Sequence, residues 1–109
     1  MVRVEQILIN LLRNALEATS AIDDAEIEMT LRKGNDRAFV VISDNGHGID
    51  NIDRLFEPFY TTKAPGEGLG LGLATSASYA KDMGGNLLAR QNDPKGAVFE
   101  LNLALATSK

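Results

Sequence analysis

Four glycines at every second position, from residue 66 to residue 72, constrain this chain more than any other feature. Leu69 and Leu71 stand among them, and a segment with helical periodicity follows directly. Glycine lets successive backbone N–H groups converge on an anion, and a helix N-terminus adds its dipole and free amides. A flexible loop is the alternative, but such regular alternation favours a phosphate site. The segment is not a Walker A loop, because no Gly-Lys-Ser/Thr follows, nor a Rossmann fingerprint, because no strand directly precedes it.

The composition describes an ordinary globular chain. Its 109 residues predict one domain, residues 1–109, with a modest core. The formal net charge of −4 argues against a general nucleic-acid binder. The sequence has no cysteine, which excludes disulfides and thiolate zinc sites. No apolar run reaches membrane-spanning length and the N-terminus does not resemble a signal peptide, so we expect a soluble domain that does not itself contact a membrane.

Two segments, residues 4–20 and 69–83, have the periodicity of long helices. The apolar stripe of the first consists of Leu8, Leu11, Leu12, Ala15 and Leu16. We expect the second helix to end at Gly84 and Gly85. Between them, the sequence predicts a short helix at 51–56 and an open loop at 57–68.

Four segments have the alternation of strands. Residues 26–33 and 37–43 predict one hairpin, and residues 86–91 and 97–105 predict a second. We expect Ile27, Met29 and Leu31 to share one side of the first strand. Two helices and about four antiparallel strands predict a two-layer α/β sandwich.

Asn10 and Asn14 lie four positions apart, so we expect them on the same face of the first helix, offset from the leucine stripe. An amide side chain offers one carbonyl oxygen and two donors. Mg²⁺ bound to nucleotide phosphates needs few protein ligands, because phosphate oxygens and water complete its octahedron. One asparagine carbonyl could suffice. The alternative is two exposed asparagines on an amphipathic helix.

The segment from Asp44 to Gly48 follows a strand with a buried pattern. A carboxylate at a strand end can accept a hydrogen bond from an exocyclic amine such as adenine N6. Gly46 and Gly48 would let a flat base lie close to the backbone. Taken alone, the segment is better interpreted as an ordinary turn, which Asp-Asn-Gly favours. His47 could accept a phosphoryl group, but a solvated loop residue is the better interpretation.

Aromatic residues around Pro58 precede two threonines and Lys63. The aromatics are typical of packing anchors for a loop. Lys63 could reach a terminal phosphate as a point charge, although for Lys63 alone a solvated lysine is the better interpretation.

These blocks, in this order, resemble the catalytic and ATP-binding domain of bacterial sensor histidine kinases, particularly the nitrogen-regulation and oxygen-sensing type. That domain belongs to the superfamily of type II topoisomerases, Hsp90 and the mismatch-repair ATPases. Residues 6–18 resemble the N box, 44–49 the G1 box, 56–59 the F box and 66–73 the G2 box, with an ATP lid at about 60–70. The resemblance covers nearly the whole chain.

The resemblance implies a Bergerat fold, a mixed and mostly antiparallel sheet packed on helices, that binds ATP and Mg²⁺. Asn14 would be the Mg²⁺ ligand, and Asn10 would contact the phosphates. Asp44 would bind the adenine amine, assisted by Gly46 and Gly48. The implied cofactor contacts around the lid are Lys63, Gly68, Gly70, Leu71 and Gly72.

The residue type at the position of Asn10 differs between the branches of this superfamily. By the resemblance, the hydrolysing ATPases carry a glutamate there as general base, and an asparagine cannot serve as one. This favours a histidine kinase domain that donates the γ-phosphoryl group to a histidine on a separate dimerisation domain, which in turn serves a response regulator. A nucleotide-binding module or truncated fragment without transfer activity is the alternative from another class. An ATPase of the Hsp90 or topoisomerase branch is a weaker third.

The family usually has a short helix and one or two strands before the N box, whereas this chain begins almost at that box. We therefore expect an exposed sheet edge and some exposed apolar surface. Either the chain is a fragment of a longer kinase, or another copy completes its packing through self-association at that edge. The expected location is the bacterial cytoplasm, and a membrane-anchored parent kinase is compatible with it.

Overall fold

The computed structural model describes residues 2–49, 56 and 72–104, with the backbone alone at residues 2, 3 and 72. Within these ranges the chain forms two helices and four strands. In chain order they are α1 (Val2–Ala18), β1 (Ile27–Lys33), β2 (Arg37–Asp44), α2 (Gly72–Asp82), β3 (Asn86–Gln91) and β4 (Ala97–Ala104). The predicted α+β sandwich is confirmed.

Helix α1 begins and ends two residues before the predicted bounds. Ile7, Leu11 and Ala15, spaced four residues apart, are its fully buried positions. Glu5 lies in the first turn, where a negative charge complements the helix dipole. Thr19 closes the last turn, because its Oγ1 donates a 2.8 Å hydrogen bond to the carbonyl oxygen of Ala15.

Helix α2 ends where Gly84 and Gly85 predict. Gly84 has a φ of 77°, and the Gly85 amide donates to the carbonyl oxygen of Ala80 at 2.9 Å. This is the Schellman arrangement, in which a left-handed glycine lets the chain satisfy the last helical carbonyls. The predicted start at residue 69 lies outside the described residues, as do the loop at 57–68 and the helix at 51–56, apart from Phe56.

The described strands form one antiparallel sheet in the order β1-β2-β4-β3. Both predicted hairpins are present, β1 with β2 and β3 with β4. The central pair, β2 with β4, places Ile42 opposite Phe99 and Val40 opposite Leu101. These side chains point to the face on which both helices pack.

The core lies between that face and the helices. The fully buried Phe99, Leu101 and Ile42 from the sheet belong to one cluster with Ile7 and Leu11 of α1. Phe56, the single described residue between 50 and 71, is half-buried against this cluster. The core thus joins α1 to the centre of the sheet, where β2 leads into the loop after Asp44.

Strand β1 differs from its prediction in exposure. Ile27, Met29 and Leu31 do share the helix-packed side, but Met29 is 57% exposed and Leu31 72%. The reason is position: β1 is one of the two edge strands of the described sheet, and α1 packs over β2 instead. Leu16 of α1 is also 62% exposed. Apolar residues on β1 and α1 therefore remain in contact with solvent.

No helix in the part of the chain that the structure describes is long and apolar enough to cross a membrane.

Candidate nucleotide site

Asp44 ends β2 and is almost fully buried, with 2% of its surface exposed. Its Oδ1 accepts hydrogen bonds from the backbone amides of Gly46 at 2.8 Å and Ala97 at 3.3 Å. Backbone donors of this kind satisfy a buried carboxylate without a cationic partner. Two donors on Oδ1 also fix the rotation of the carboxylate about its Cβ–Cγ bond.

Gly46 brings the loop after β2 against the end of α1. A Cβ at this position would lie 2.8 Å from the Ala18 carbonyl carbon and even closer to its oxygen, so no other residue fits without moving backbone. Within the described residues, Gly46 thus serves the contact between loop and helix, and its expected role beside a base stays a prediction. Gly48, two residues on, has a φ of 88°, which favours glycine.

Asn10 and Asn14 lie on α1 as predicted, and both are half-buried. The Asn10 Nδ2 donates to the Ser76 Oγ at 3.0 Å, which ties α1 to the fully buried Ser76 of α2. Its Oδ1 receives a longer contact, 3.5 Å, from the exposed Gln6. Asn14 has no side-chain hydrogen bond to another described residue, so its amide is available to an incoming group.

The contact between Gly46 and Ala18 brings the loop after Asp44 to the C-terminal end of α1, the helix that carries Asn10 and Asn14. Ala18 meets the Asp44 loop, and Asn14 and Asn10 follow toward the helix N-terminus at one-turn intervals. From Ala18 to Asn10 the helix axis spans about 12 Å, at roughly 1.5 Å per residue. The half-buried amides of Asn14 and Asn10 thus lie about one and two helical turns from Ala18, the residue that contacts the loop after Asp44. The carboxylate can accept a hydrogen bond from an adenine amine, and an amide oxygen can bind a phosphate-bound cation.

Sequence reasoning missed three residues that hold this loop, Gln91 at the end of β3 and Asn92 and Gly96 in the β3–β4 turn. The Asn92 Nδ2 donates to the Asp44 carbonyl oxygen at 2.8 Å. The Gln91 Oε1 accepts from the Ile49 backbone amide at 3.0 Å, and the Gln91 Nε2 donates to the Ile49 carbonyl oxygen at 2.6 Å. Gly96 approaches Asp44 so closely that a Cβ there would overlap its carbonyl oxygen. The sequence indicated only a hairpin turn here, and no spacing connects it with Asp44.

Asn45 holds the other side of the loop. Its Oδ1 accepts from the Glu26 amide at 2.9 Å, and its Nδ2 donates to the Asp24 carbonyl oxygen at 2.8 Å. The segment between α1 and β1 is thereby connected to the loop after β2. His47, by contrast, is exposed, in agreement with its interpretation as a solvated loop residue.

Several predicted contacts fall outside the described residues. Gly72 begins α2, and only its backbone is described. The other predicted contacts in this group are Lys63, Gly68, Gly70 and Leu71. The lid at 60–70 and most of the F box at 56–59 lie outside as well.

Comparison with known proteins shows the family of the chain. A family model described as histidine kinase-, DNA gyrase B-, and HSP90-like ATPase matches residues 1–107. The chain belongs to this ATPase family. Its resemblance to the sensor kinase branch is also confirmed: the chain is a catalytic, ATP-binding domain of the protein-histidine kinase type.

Several curated relatives of this ATPase domain are sensor proteins. The C4-dicarboxylate transport sensor protein DctB of Rhizobium meliloti is 41% identical over 107 residues, which cover 96% of this chain and 17% of DctB. The two-component sensor PprA of Pseudomonas aeruginosa is 40% identical, over 95% of this chain and 12% of PprA. The sensor protein FixL of Bradyrhizobium diazoefficiens is 39% identical, over 96% of this chain and 21% of FixL. The chain thus spans a small part of each.

A solved structure of the catalytic domain of histidine kinase ThkA, free of nucleotide, superimposes with a TM-score of 0.81 at 31% identity. The match covers 94% of this chain and 66% of that one. The mycobacterial sensor histidine kinase MprB also has a TM-score of 0.81 but only 24% identity, which supports the fold alone.

Proposed function

We propose that this ATPase domain binds Mg²⁺-ATP and donates the γ-phosphoryl group to a histidine on a separate dimerisation domain. The observation that carries the proposal is the alignment along α1 of the buried, rotationally fixed Asp44 carboxylate with the half-buried amides of Asn14 and Asn10. One end suits an adenine amine and the other a magnesium-bound phosphate chain.

At the base end, Asp44 accepts a hydrogen bond from the adenine amine. The described hydrogen bonds of its carboxylate end on Oδ1. Oδ2 is therefore the atom proposed to accept from the base, beside the backbone of Gly46 and Gly48. A guanine presents a carbonyl oxygen at the equivalent position, and two acceptors facing each other repel. This end of the site accordingly selects adenine nucleotides.

At the phosphate end, Asn14 is the proposed Mg²⁺ ligand and Asn10 the proposed phosphate contact. The bound ion would neutralise phosphate charge as the terminal group leaves. The hydrogen bond from Asn10 to Ser76 keeps the α1 face oriented toward α2, whose N-terminus at Gly72 favours an anion. Lys63, Gly68, Gly70 and Leu71 remain predicted contacts of the lid.

The side chains of this site favour transfer over hydrolysis. Asn10 cannot accept a proton from water, so the site lacks the general base that a glutamate would supply there. In the proposed reaction the bond between the γ-phosphorus and the bridging oxygen breaks, and a bond to the acceptor imidazole nitrogen forms. ADP leaves and the imidazole releases a proton. The domain contributes position and charge, which are the main sources of catalysis in phosphoryl transfer.

The proposed partners follow from this role. They are ATP and ADP, the histidine-bearing dimerisation domain and, through that domain, a response regulator. The bacterial cytoplasm is the proposed location, and the nitrogen-regulation or oxygen-sensing type remains the proposed subtype. FixL and DctB among the relatives support a sensor kinase of this general kind.

Self-association through β1 is a further proposed partner interaction, with a second copy of the chain. Antiparallel pairing of two β1 strands centred on Thr30 would place Met29 opposite Leu31 and Glu28 opposite Arg32. Apolar side chains would then meet on the helix-packed side, and opposite charges on the other. Cross-strand pairs of both types stabilise antiparallel sheets.

Calorimetric titration with ADP and with a non-hydrolysable ATP analogue, each with and without Mg²⁺, tests the nucleotide site. We expect saturable binding that Mg²⁺ strengthens. Addition of a helical domain that carries the acceptor histidine then tests transfer, with acid-labile phosphate on that domain as the readout. Transfer should persist in His47→Ala, because His47 is not the acceptor.

Two other outcomes would redirect the proposal. Nucleotide binding without acid-labile phosphate would support the alternative of a nucleotide-binding module without transfer activity. Fast steady-state hydrolysis by this chain alone would support the Hsp90 or topoisomerase branch, against the expectation from Asn10. A folded chain that binds neither nucleotide would contradict both the kinase and the module.

A further inference from the structure

The β3–β4 turn bonds to the loop after β2 on both sides of the proposed adenine site. The Asn92 side chain donates to the backbone carbonyl oxygen of Asp44, the last residue of β2, at 2.8 Å. The Gln91 side chain bonds to the backbone of Ile49, five residues on, at 3.0 and 2.6 Å. Gln91 at the end of β3 and Asn92 directly after it thereby bond to the chain before and after Gly46 and Gly48.

The turn itself has a defined shape. The Asn92 backbone N–H donates to the Gly96 carbonyl oxygen at 2.8 Å, and this hydrogen bond closes the turn. Gly96 has a φ of 110° and packs directly on the Asp44 backbone, where any side chain would overlap. The next residue, Ala97, donates its amide to the Asp44 Oδ1 at 3.3 Å. The turn therefore contacts both the backbone and the carboxylate of Asp44.

We propose that Gln91 and Asn92 are positioning residues that set the base selectivity of this site by holding the Asp44 loop against the β3–β4 turn. The proposal rests on the proposed nucleotide function. Neither side chain needs to touch the nucleotide. Each determines where the Asp44 carboxylate and the backbone of Gly46 and Gly48 lie relative to a base, and hydrogen bonds weaken steeply when misaligned.

The proposal separates base recognition from phosphate binding. Gln91 and Asn92 bond to the loop after β2, whereas Asn10 bonds to Ser76 of α2. Loss of either turn residue should therefore reduce the preference for adenine while leaving the binding of a phosphate chain unchanged. A residue that merely stabilised the fold would weaken every ligand together.

The test measures the affinities of ADP, GDP and inorganic triphosphate, each with Mg²⁺, by calorimetry. We expect Gln91→Ala and Asn92→Ala each to weaken ADP about tenfold, which is the effect of roughly one hydrogen bond. GDP and triphosphate should change less than about twofold. Asn92→Asp keeps the size of the side chain but removes the donor, so it should behave like Asn92→Ala. Asn86→Ala, at the opposite end of β3, is the matched control and should change nothing.

Thermal unfolding identifies variants that no longer fold. If Gln91→Ala is one of them, Gln91→Met takes its place, because methionine keeps most of the side-chain volume. Unchanged ADP-to-GDP ratios in folded variants would overturn the positioning role while leaving the nucleotide site intact. So would an Asn92→Asp variant that selects ADP as the unsubstituted chain does, or a parallel loss for all three ligands. A chain that binds none of them before substitution would overturn the proposed nucleotide site and the positioning role with it.

Discussion

At the scale of single residues, Asp44 and Asn14 have different environments, which suit different ligands. The Asp44 carboxylate is buried and receives two backbone donors on one oxygen. Asn14 is half-buried, without a side-chain partner among the described residues. The first is a fixed acceptor that can discriminate between bases. The second is a neutral oxygen ligand that can adjust to a metal ion.

Asp44→Asn should weaken adenine nucleotides selectively. The amide oxygen can keep the bonds from Gly46 and Ala97, but the amide nitrogen then faces the donor of the base. We expect about a tenfold loss of affinity for ADP and little change for GDP, measured by calorimetry. Asp36→Asn, in the exposed β1–β2 turn, is the matched control. An equal loss for ADP and GDP would contradict the role of Asp44 toward the adenine amine.

Asn14→Ala should abolish the strengthening of nucleotide binding by Mg²⁺. The substitution removes the proposed protein ligand of the ion, while alanine preserves the helix. The measurement is the ratio of ADP affinities with and without Mg²⁺, which we expect to fall to about one if Asn14 is the essential ligand. Asn35→Ala, in the β1–β2 turn, should leave that ratio unchanged. A variant with the original Mg²⁺ dependence would refute the ligand assignment.

At the scale of elements, the site depends on how closely the loop after β2 approaches α1. Only hydrogen fits at the Cβ position of Gly46, because the Ala18 backbone occupies the space. Asn45 and the β3–β4 turn hold the same loop from two other directions. The loop is thus positioned by α1, by the segment between α1 and β1, and by the β3–β4 turn.

Gly46→Ala should destabilise the domain by about 2 kcal/mol, in the range for overpacking a close contact. The free energy of unfolding in urea measures the effect. Gly34→Ala is the matched control, since the nearest atom to a Cβ there is 3.6 Å away and its backbone lies outside the left-handed region. We expect that control to stay within roughly 1 kcal/mol of the unsubstituted chain. Equal stability of both variants would show that the loop and α1 separate readily.

At the scale of the whole molecule, the two helices leave part of the sheet uncovered. They pack over β2, β3 and β4, and Met29 and Leu31 on β1 stay exposed, as does Leu16 of α1. An edge strand with unpaired backbone groups and apolar side chains is a template for pairing with another strand. The chain is therefore expected to self-associate through β1.

Leu31→Lys should reduce that self-association, because a charge on the apolar side of an edge strand opposes pairing. Sedimentation velocity over a range of concentrations measures it, and we expect the substituted chain to remain monomeric where the unsubstituted chain forms dimers. Leu88→Lys is the control: Leu88 is also exposed, at 53%, but lies on β3 at the opposite edge. If both variants dimerise like the unsubstituted chain, β1 is not the interface.

The sequence by itself determined the elements of this domain, its family and the candidates Asn10, Asn14 and Asp44. Apolar periodicity reports which face of a helix or strand is buried, and glycine pairs mark where a helix ends, because both are local properties. The order of the motifs along the chain was enough to indicate a nucleotide-binding ATPase domain.

Only the tertiary structure decided how those candidates are held. Asn92 and Asp44 lie 48 positions apart, and they meet because β2 and β3 both pair with β4 in a particular register. The closeness of Gly46 to Ala18 and the exposure of Met29 depend likewise on where α1 packs across the sheet. Contacts between distant segments follow from strand order, register and helix position, which a pattern within one segment does not contain.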